Sequence, residues 1–158
     1  MATFTNIGSI TGLASITFST GGCFIGSTPI FTNKGLVNIQ NIQIGDIVLS
    51  FNPNTLELSM KEVTNVFVHE PEPYFTFTFS NGKSLGVTGN HPMFNYYTKT
   101  FVRADTMKVG DHLMTEHTLP TELVSITSQD NSVNVYNLEV LDNHTYFANG
   151  VGVHNVKP

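Results

Sequence analysis

Two stretches of this chain align on each other without a gap, and that duplication constrains the fold more than any other feature. Val37-Asn38-Ile39-Gln40-Asn41-Ile42-Gln43-Ile44-Gly45-Asp46-Ile47-Val48-Leu49 falls on Val102-Arg103-Ala104-Asp105-Thr106-Met107-Lys108-Val109-Gly110-Asp111-His112-Leu113-Met114. Most apolar positions meet apolar positions, and Gly-Asp meets Gly-Asp. Upstream, Thr28-Pro29-Ile30-Phe31 corresponds to His91-Pro92-Met93-Phe94. A single copy of such a unit cannot bury its own apolar face, so the two copies are expected to pack on each other about a pseudo-twofold axis. Each Gly-Asp is predicted to be a turn, with Gly at positive φ and Asp bonding the neighbouring backbone.

The units are β units. Phe75-Thr76-Phe77-Thr78-Phe79 alternates with period two, Ser80-Asn81-Gly82-Lys83 reads as a turn, and Ser84 to Val87 resumes an extended run, which predicts a hairpin. Ile47-Val48-Leu49, Val63 to Val68, Leu123 to Thr127 and Val133 to Val140 are further strand candidates, and Asn52-Pro53-Asn54 is a turn. No segment keeps a helical period for three turns. Ile39 to Ile42 and Ala104 to Met107 are the best short helical turns, and they occupy equivalent places in the repeat. The predicted class is all-β.

At 158 residues the chain suffices for one full core. Charged residues are only 12% against 40% hydrophobic, which argues against disorder. The net charge of -5, with no Lys/Arg cluster, argues against nucleic-acid binding. The run from Ile7 to Phe18 is too short and too polar for a membrane span, and Met1-Ala2-Thr3-Phe4 lacks the positive region of a signal peptide. One cysteine excludes an internal disulfide and a Cys-rich zinc site. His69, His112 and His117 show no ligand spacing, so no metal is expected.

Reactive groups cluster at the two ends. Cys23 follows Gly21-Gly22, and His154-Asn155 precedes Val156-Lys157-Pro158. A lone cysteine in an arbitrary domain is usually a small buried hydrophobe. Here the paired glycines clear the carbonyl that a thiol would attack, and a thiol needs activation because only a few per cent is ionised at neutral pH. Thr88-Gly89-Asn90-His91 follows a predicted strand, where a turn can aim a hydroxyl and an imidazole at one backbone bond. Alone, that spacing equally describes a surface turn. An asparagine amide can attack its own main-chain carbonyl and release the next residue; His154 is adjacent to Asn155 and His144 lies just upstream. Asp142 can orient His144 or cap the turn Leu141-Asp142-Asn143. The chain's substrate is thus read as the chain itself. Two rivals stand beside this: a catalytically quiet structural or binding module, and a thiol hydrolase acting on external substrates.

Together these segments resemble the Hint (hedgehog/intein) superfamily. Cys23-Phe24-Ile25-Gly26-Ser27-Thr28-Pro29-Ile30-Phe31 is similar to its opening block, and Thr88-Gly89-Asn90-His91 to its second. Val135-Tyr136-Asn137-Leu138-Glu139-Val140 through His144-Thr145-Tyr146-Phe147, then Asn149 to Asn155, is similar to its last two. The resemblance implies a horseshoe-shaped all-β fold with pseudo-twofold symmetry and no cofactor. It implies 1-22 as an upstream flank, 23-155 as the autoprocessing domain and 156-158 as the downstream flank. Cys23 is then the nucleophile, Thr88 and His91 activate the Gly22-Cys23 bond, and His144 and His154 assist cyclisation of Asn155. The expected partners are the chain's own flanks, with no nucleic acid or membrane; the domain is expected to be a monomer of bacterial origin that follows its host protein, in the cytoplasm or outside.

Two positions depart from the intein pattern. Val156 stands where inteins carry Cys, Ser or Thr, so no branched intermediate forms, which points to the bacterial intein-like domains with a His-Asn terminus. Asn137 stands where inteins often have Asp, which puts the coordination of the two steps in question.

Overall fold

The structure, a computed structural model, describes residues 22–155. The expected flank 156-158, and all of the expected flank 1-22 except Gly22, therefore lie outside the described residues.

The duplicated sequence becomes a duplicated strand arrangement. The first copy runs β1 (Phe24–Ile25), β2 (Pro29–Thr32), β3 (Gly35–Asn38), β4 (Ile47–Phe51) and β5 (Leu58–Phe79). The second runs β6 (Ser84–Val87), β7 (Pro92–Asn95), β8 (Thr100–Arg103), β9 (His112–Met114) and β10 (Pro120–Val140). A closing hairpin follows, β11 (Thr145–Ala148) and β12 (Val151–His154). All twelve strands join one antiparallel sheet system. This is the all-β, pseudo-twofold architecture that the repeat predicts.

The symmetry extends to individual hydrogen bonds. Gly45 and Gly110 have φ of 97° and 100°. Asp46 Oδ2 accepts the N–H of Gln43 at 2.8 Å, and Asp111 Oδ2 accepts that of Lys108 at 3.0 Å. The short helical turns are 3₁₀, Ile39–Asn41 and Ala104–Thr106. Ile39 N–H bonds the Thr28 carbonyl at 2.8 Å, and Ala104 N–H bonds the His91 carbonyl at 2.9 Å. Thr28 and His91 are therefore structural equivalents, and chemistry distinguishes them.

One expectation needs correction. Val63 to Val68 and Phe75 to Phe79 are not separate strands but parts of the single β5. Likewise Leu123 to Thr127 and Val133 to Val140 both belong to β10. The two long strands pair with each other, and the ladder absorbs the breakers through register shifts. Tyr74 faces Gln129 but Glu72 faces Val133, so 130–132 bulge out opposite Pro73. The Phe75–Val87 hairpin forms in the expected register, with Phe77 opposite Leu85.

The main core holds Phe24, Ile30, Phe77, Leu113, Leu138 and Tyr146. A smaller cluster gathers Phe51, Phe94, Met114 and Phe147, with the Phe51 ring 5.1 Å from both Phe94 and Phe147. A Cβ on Gly152 would lie 2.9 Å from the Phe51 ring, so β12 runs directly over it. Phe51→Ala is expected to cost about 3–5 kcal/mol. Urea denaturation, in a Cys23→Ala/Asn155→Ala background that keeps the chain whole, measures it.

Candidate active site

Strand pairing places the first junction. Phe24 pairs with Tyr136 of β10 on one side and with Val87 of β6 on the other. Gly22 and Cys23 are therefore led between Asn137 and Thr88. Thr88 Oγ1 accepts the N–H of Cys23 at 2.8 Å and donates to Asn90 Oδ1 at 3.0 Å, while Thr88 N–H bonds the Cys23 carbonyl at 2.9 Å. Thr88 thus holds the nitrogen side of the Gly22-Cys23 bond rather than its carbonyl. The carbonyl is held by a residue the motif reading assigned no contact: Asn137 Nδ2 donates to Gly22 O at 2.7 Å.

Gly22 is required sterically. Its φ is +71°, and a Cβ there would lie 2.4 Å from His91 Cα and 2.5 Å from His91 N. No side chain can be added while the bond stays against His91.

Cys23 is 3% exposed and His91 is fully buried. Burial, and then the negative charge of Glu72, push the Cys23 thiol well above its ordinary range. His91 is pulled down to about 3, mainly by burial; the carbonyls of Gly22 and His154 oppose that drop, and the charge of His154 adds to it. The imidazole packs against Phe24 with ring centroids 4.2 Å apart. Neither of its ring nitrogens completes a hydrogen bond of normal geometry, although both carbonyls are close enough to be felt. Burial thus favours the neutral form of both groups at rest. Charge separation between thiol and imidazole is therefore disfavoured, because burial opposes both the thiolate and the imidazolium.

The buried neutral His91 also makes the fold acid-sensitive. The unfolded chain binds this proton below about pH 6.5, whereas the folded chain resists it until about pH 3. Between those values the unfolded state holds more protons, so stability falls as pH falls. The expected loss is up to about 1.4 kcal/mol per pH unit in that window. Urea denaturation between pH 7 and pH 4 reads it, and His91→Gln should flatten the dependence.

β12 places the second junction. Val153 pairs with Met93 of β7, two residues beyond His91, which brings the chain's end beside the first junction. Asn155 is 1% exposed. Its N–H bonds the His144 carbonyl at 2.7 Å, and its Oδ1 accepts the Val140 N–H at 2.8 Å. His154 Nδ1 lies 2.7 Å from the Asn155 carbonyl oxygen; that oxygen can only accept, so Nδ1 carries the proton. The His144 ring stacks on the His154 ring at 6.3 Å, and its buried Nδ1 has no hydrogen-bond partner. Asp142 does neither of the things expected of it. It pairs with Lys61 at 3.0 Å.

The structure therefore brings together all six residues singled out from sequence: Cys23, Thr88 and His91 at one bond, His144, His154 and Asn155 at the other. His91 stands between the two. The contacts of Asn137 and Tyr146 were missed. The signal available was the departure from Asp at 137, which was read as a loss rather than as a different donor.

A pretoxin HINT domain family matches residues 30–156. The chain belongs to this family, within the Hint superfamily. A bacterial intein-like domain from Clostridium thermocellum is 35% identical, covering 87% of this chain and all of that one, with a TM-score of 0.78. In type, this is a minimal intein-like domain of the bacterial kind. A DnaB intein from Synechocystis, 22% identical, shares the fold over 87% of this chain and 100% of its own, with a TM-score of 0.79. An uncharacterized protein of Methanocaldococcus jannaschii is 29% identical over 72% of this chain, and the chain spans 16% of that protein's length.

Proposed function

We propose that this domain cuts its own flanking peptide bonds, before Cys23 by an acyl shift and after Asn155 by cyclisation. The observation that carries this reading is the convergence of both junctions on one buried residue: Gly22 packs directly against His91, and β12, which ends at His154, pairs with β7 two residues beyond it.

At the first bond, Cys23 Sγ attacks the Gly22 carbonyl carbon. The thiol proton passes to His91 as the C–S bond forms, and His91 returns it to the Cys23 nitrogen as the C–N bond breaks. Thr88 holds that nitrogen throughout. A thioester and a free amine result, with no change in oxidation state. At the second bond, Asn155 Nδ2 attacks the Asn155 carbonyl carbon. Val140 N–H stabilises charge gathering on Oδ1, and His154 Nδ1–H stabilises the oxyanion. The amide proton travels by His144 to the nitrogen of Val156, leaving a succinimide.

Val156 supplies no side-chain nucleophile, so the thioester is consumed by water, added thiol or the freed amine of Val156. Cleavage therefore dominates, with at most a minor product joining Gly22 to Val156. The domain acts alone on the flanks attached to it, as a monomer.

One observation favours the quiet-module reading: the thiol is buried and protonated at rest. Intact mass followed over time, with the chain placed between two folded flanks, separates the two. Cuts at 22/23 and 155/156 are expected. A single unchanging mass, with and without thiol, overturns self-processing in favour of the quiet module.

A further inference from the structure

We infer that Asn137 is the donor that stabilises the oxyanion formed on Gly22, and that Tyr146 holds its amide in the donating orientation. The inference rests on the self-processing reading and adds a catalytic residue and a positioning residue to it.

Asn137 is fully buried on β10, and Tyr146 is fully buried on β11. Asn137 Oδ1 accepts two hydrogen bonds, from Leu138 N–H at 2.7 Å and from Tyr146 O–H at 2.7 Å. With the oxygen so engaged, Nδ2 faces Gly22 O at 2.7 Å. A flipped amide would set nitrogen against an N–H donor and oxygen against a carbonyl, so the network admits one orientation. Burial, and then the charge of Cys23, push the Tyr146 phenol well above its ordinary range, so its O–H remains available to donate.

The chemistry needs such a donor. When Cys23 Sγ bonds to the Gly22 carbon, the carbonyl electrons move onto Gly22 O. They return as the bond to the Cys23 nitrogen breaks and that nitrogen takes up the thiol's proton. Thr88 sits on the nitrogen and cannot help the oxygen. Asn137 reaches the oxygen, is already fixed, and as an amide donates at every pH. A carboxyl side chain here would donate only when protonated.

The test measures thiol-induced release of the segment ending at Gly22 in the full chain. Asn137→Ala should slow release by about 10²–10³-fold, the usual loss of one oxyanion donor. The near-isosteric Asn137→Asp guards against a packing defect in the alanine variant, and circular dichroism checks the fold of each. Relative to the parent at the same pH, Asn137→Asp should be slow near neutrality and recover as its carboxyl protonates on acidification. Tyr146→Phe should slow release about 3- to 10-fold, the worth of one hydrogen bond. The same change should have no further effect in the Asn137→Ala chain. A purely structural Tyr146 would lower the rate equally in both backgrounds.

If the parent chain shows no thiol-dependent release, the acyl shift at the first bond fails and takes this inference with it. If the parent releases but folded Asn137→Ala or Asn137→Asp matches its rate at neutral pH, only the inference is overturned.

Discussion

Cys23→Ala abolishes thiol-induced release of the segment ending at Gly22. The substitution removes one sulfur atom from a site that is 3% exposed, and the hydrogen bond from Cys23 N–H to Thr88 is a backbone bond that alanine keeps. The clamp on the scissile bond, from Thr88 on nitrogen and Asn137 on oxygen, therefore survives. Only the nucleophile is lost. Where a covalent nucleophile is removed from an intact site, rates fall by more than about 10⁴-fold. Release measured by mass should drop to the background of ordinary hydrolysis. Unchanged release would remove Cys23 from the mechanism.

Asn155→Ala has the second-largest effect, at the opposite end. Methyl replaces the amide that attacks the Asn155 carbonyl, so no residue from 156 onward should be released while the parent chain is cut completely. This substitution also has a structural cost. Val140 N–H loses its 2.8 Å partner in the core, worth about 1–3 kcal/mol. Urea denaturation will show that cost, and it must stay well below the total stability for the result to be read as chemistry. Thr88 still holds the Cys23 nitrogen and Asn137 the Gly22 oxygen in this variant, so thiol-induced release at Gly22 should persist.

The symmetric part of the fold was legible because it is local. Gly45-Asp46 and Gly110-Asp111 carry their turn chemistry within four residues, and the Phe75–Phe79 alternation specifies its hairpin by period alone. The long strands were not legible. Glu70-Pro71-Glu72-Pro73 and Asp130-Asn131-Ser132 are breakers by composition, yet β5 and β10 run through them because each pairs with the other along its length. That decision is made across the sheet.

The site divides in the same way. Cys23 and Asn155 were readable because nucleophiles at the borders of the repeat-bearing unit announce themselves by type and place, and His91 through the Thr88-Gly89-Asn90-His91 segment that the resemblance picked out. Which atom of the Gly22-Cys23 bond Thr88 touches depends on the pairing of Phe24 with Val87, a contact between strands far apart in sequence. The role of Asn137 depends on more still. Its amide direction is set by a Tyr146 hydroxyl arriving from β11, and its target by the register of Phe24 on Tyr136. An Asn replacing Asp reads in sequence as a lost charge, while in the folded chain it is a pointed donor.

A thioester formed at Gly22 without any other protein would leave its mark on the released upstream fragment. Incubation of the purified chain with dithiothreitol, followed by intact mass spectrometry, should yield an upstream fragment ending at Gly22 and carrying one dithiothreitol as a thioester. That species should be absent from Cys23→Ala. An upstream fragment found only as the free acid, at equal rates in both chains, would mean that no thioester forms at Gly22.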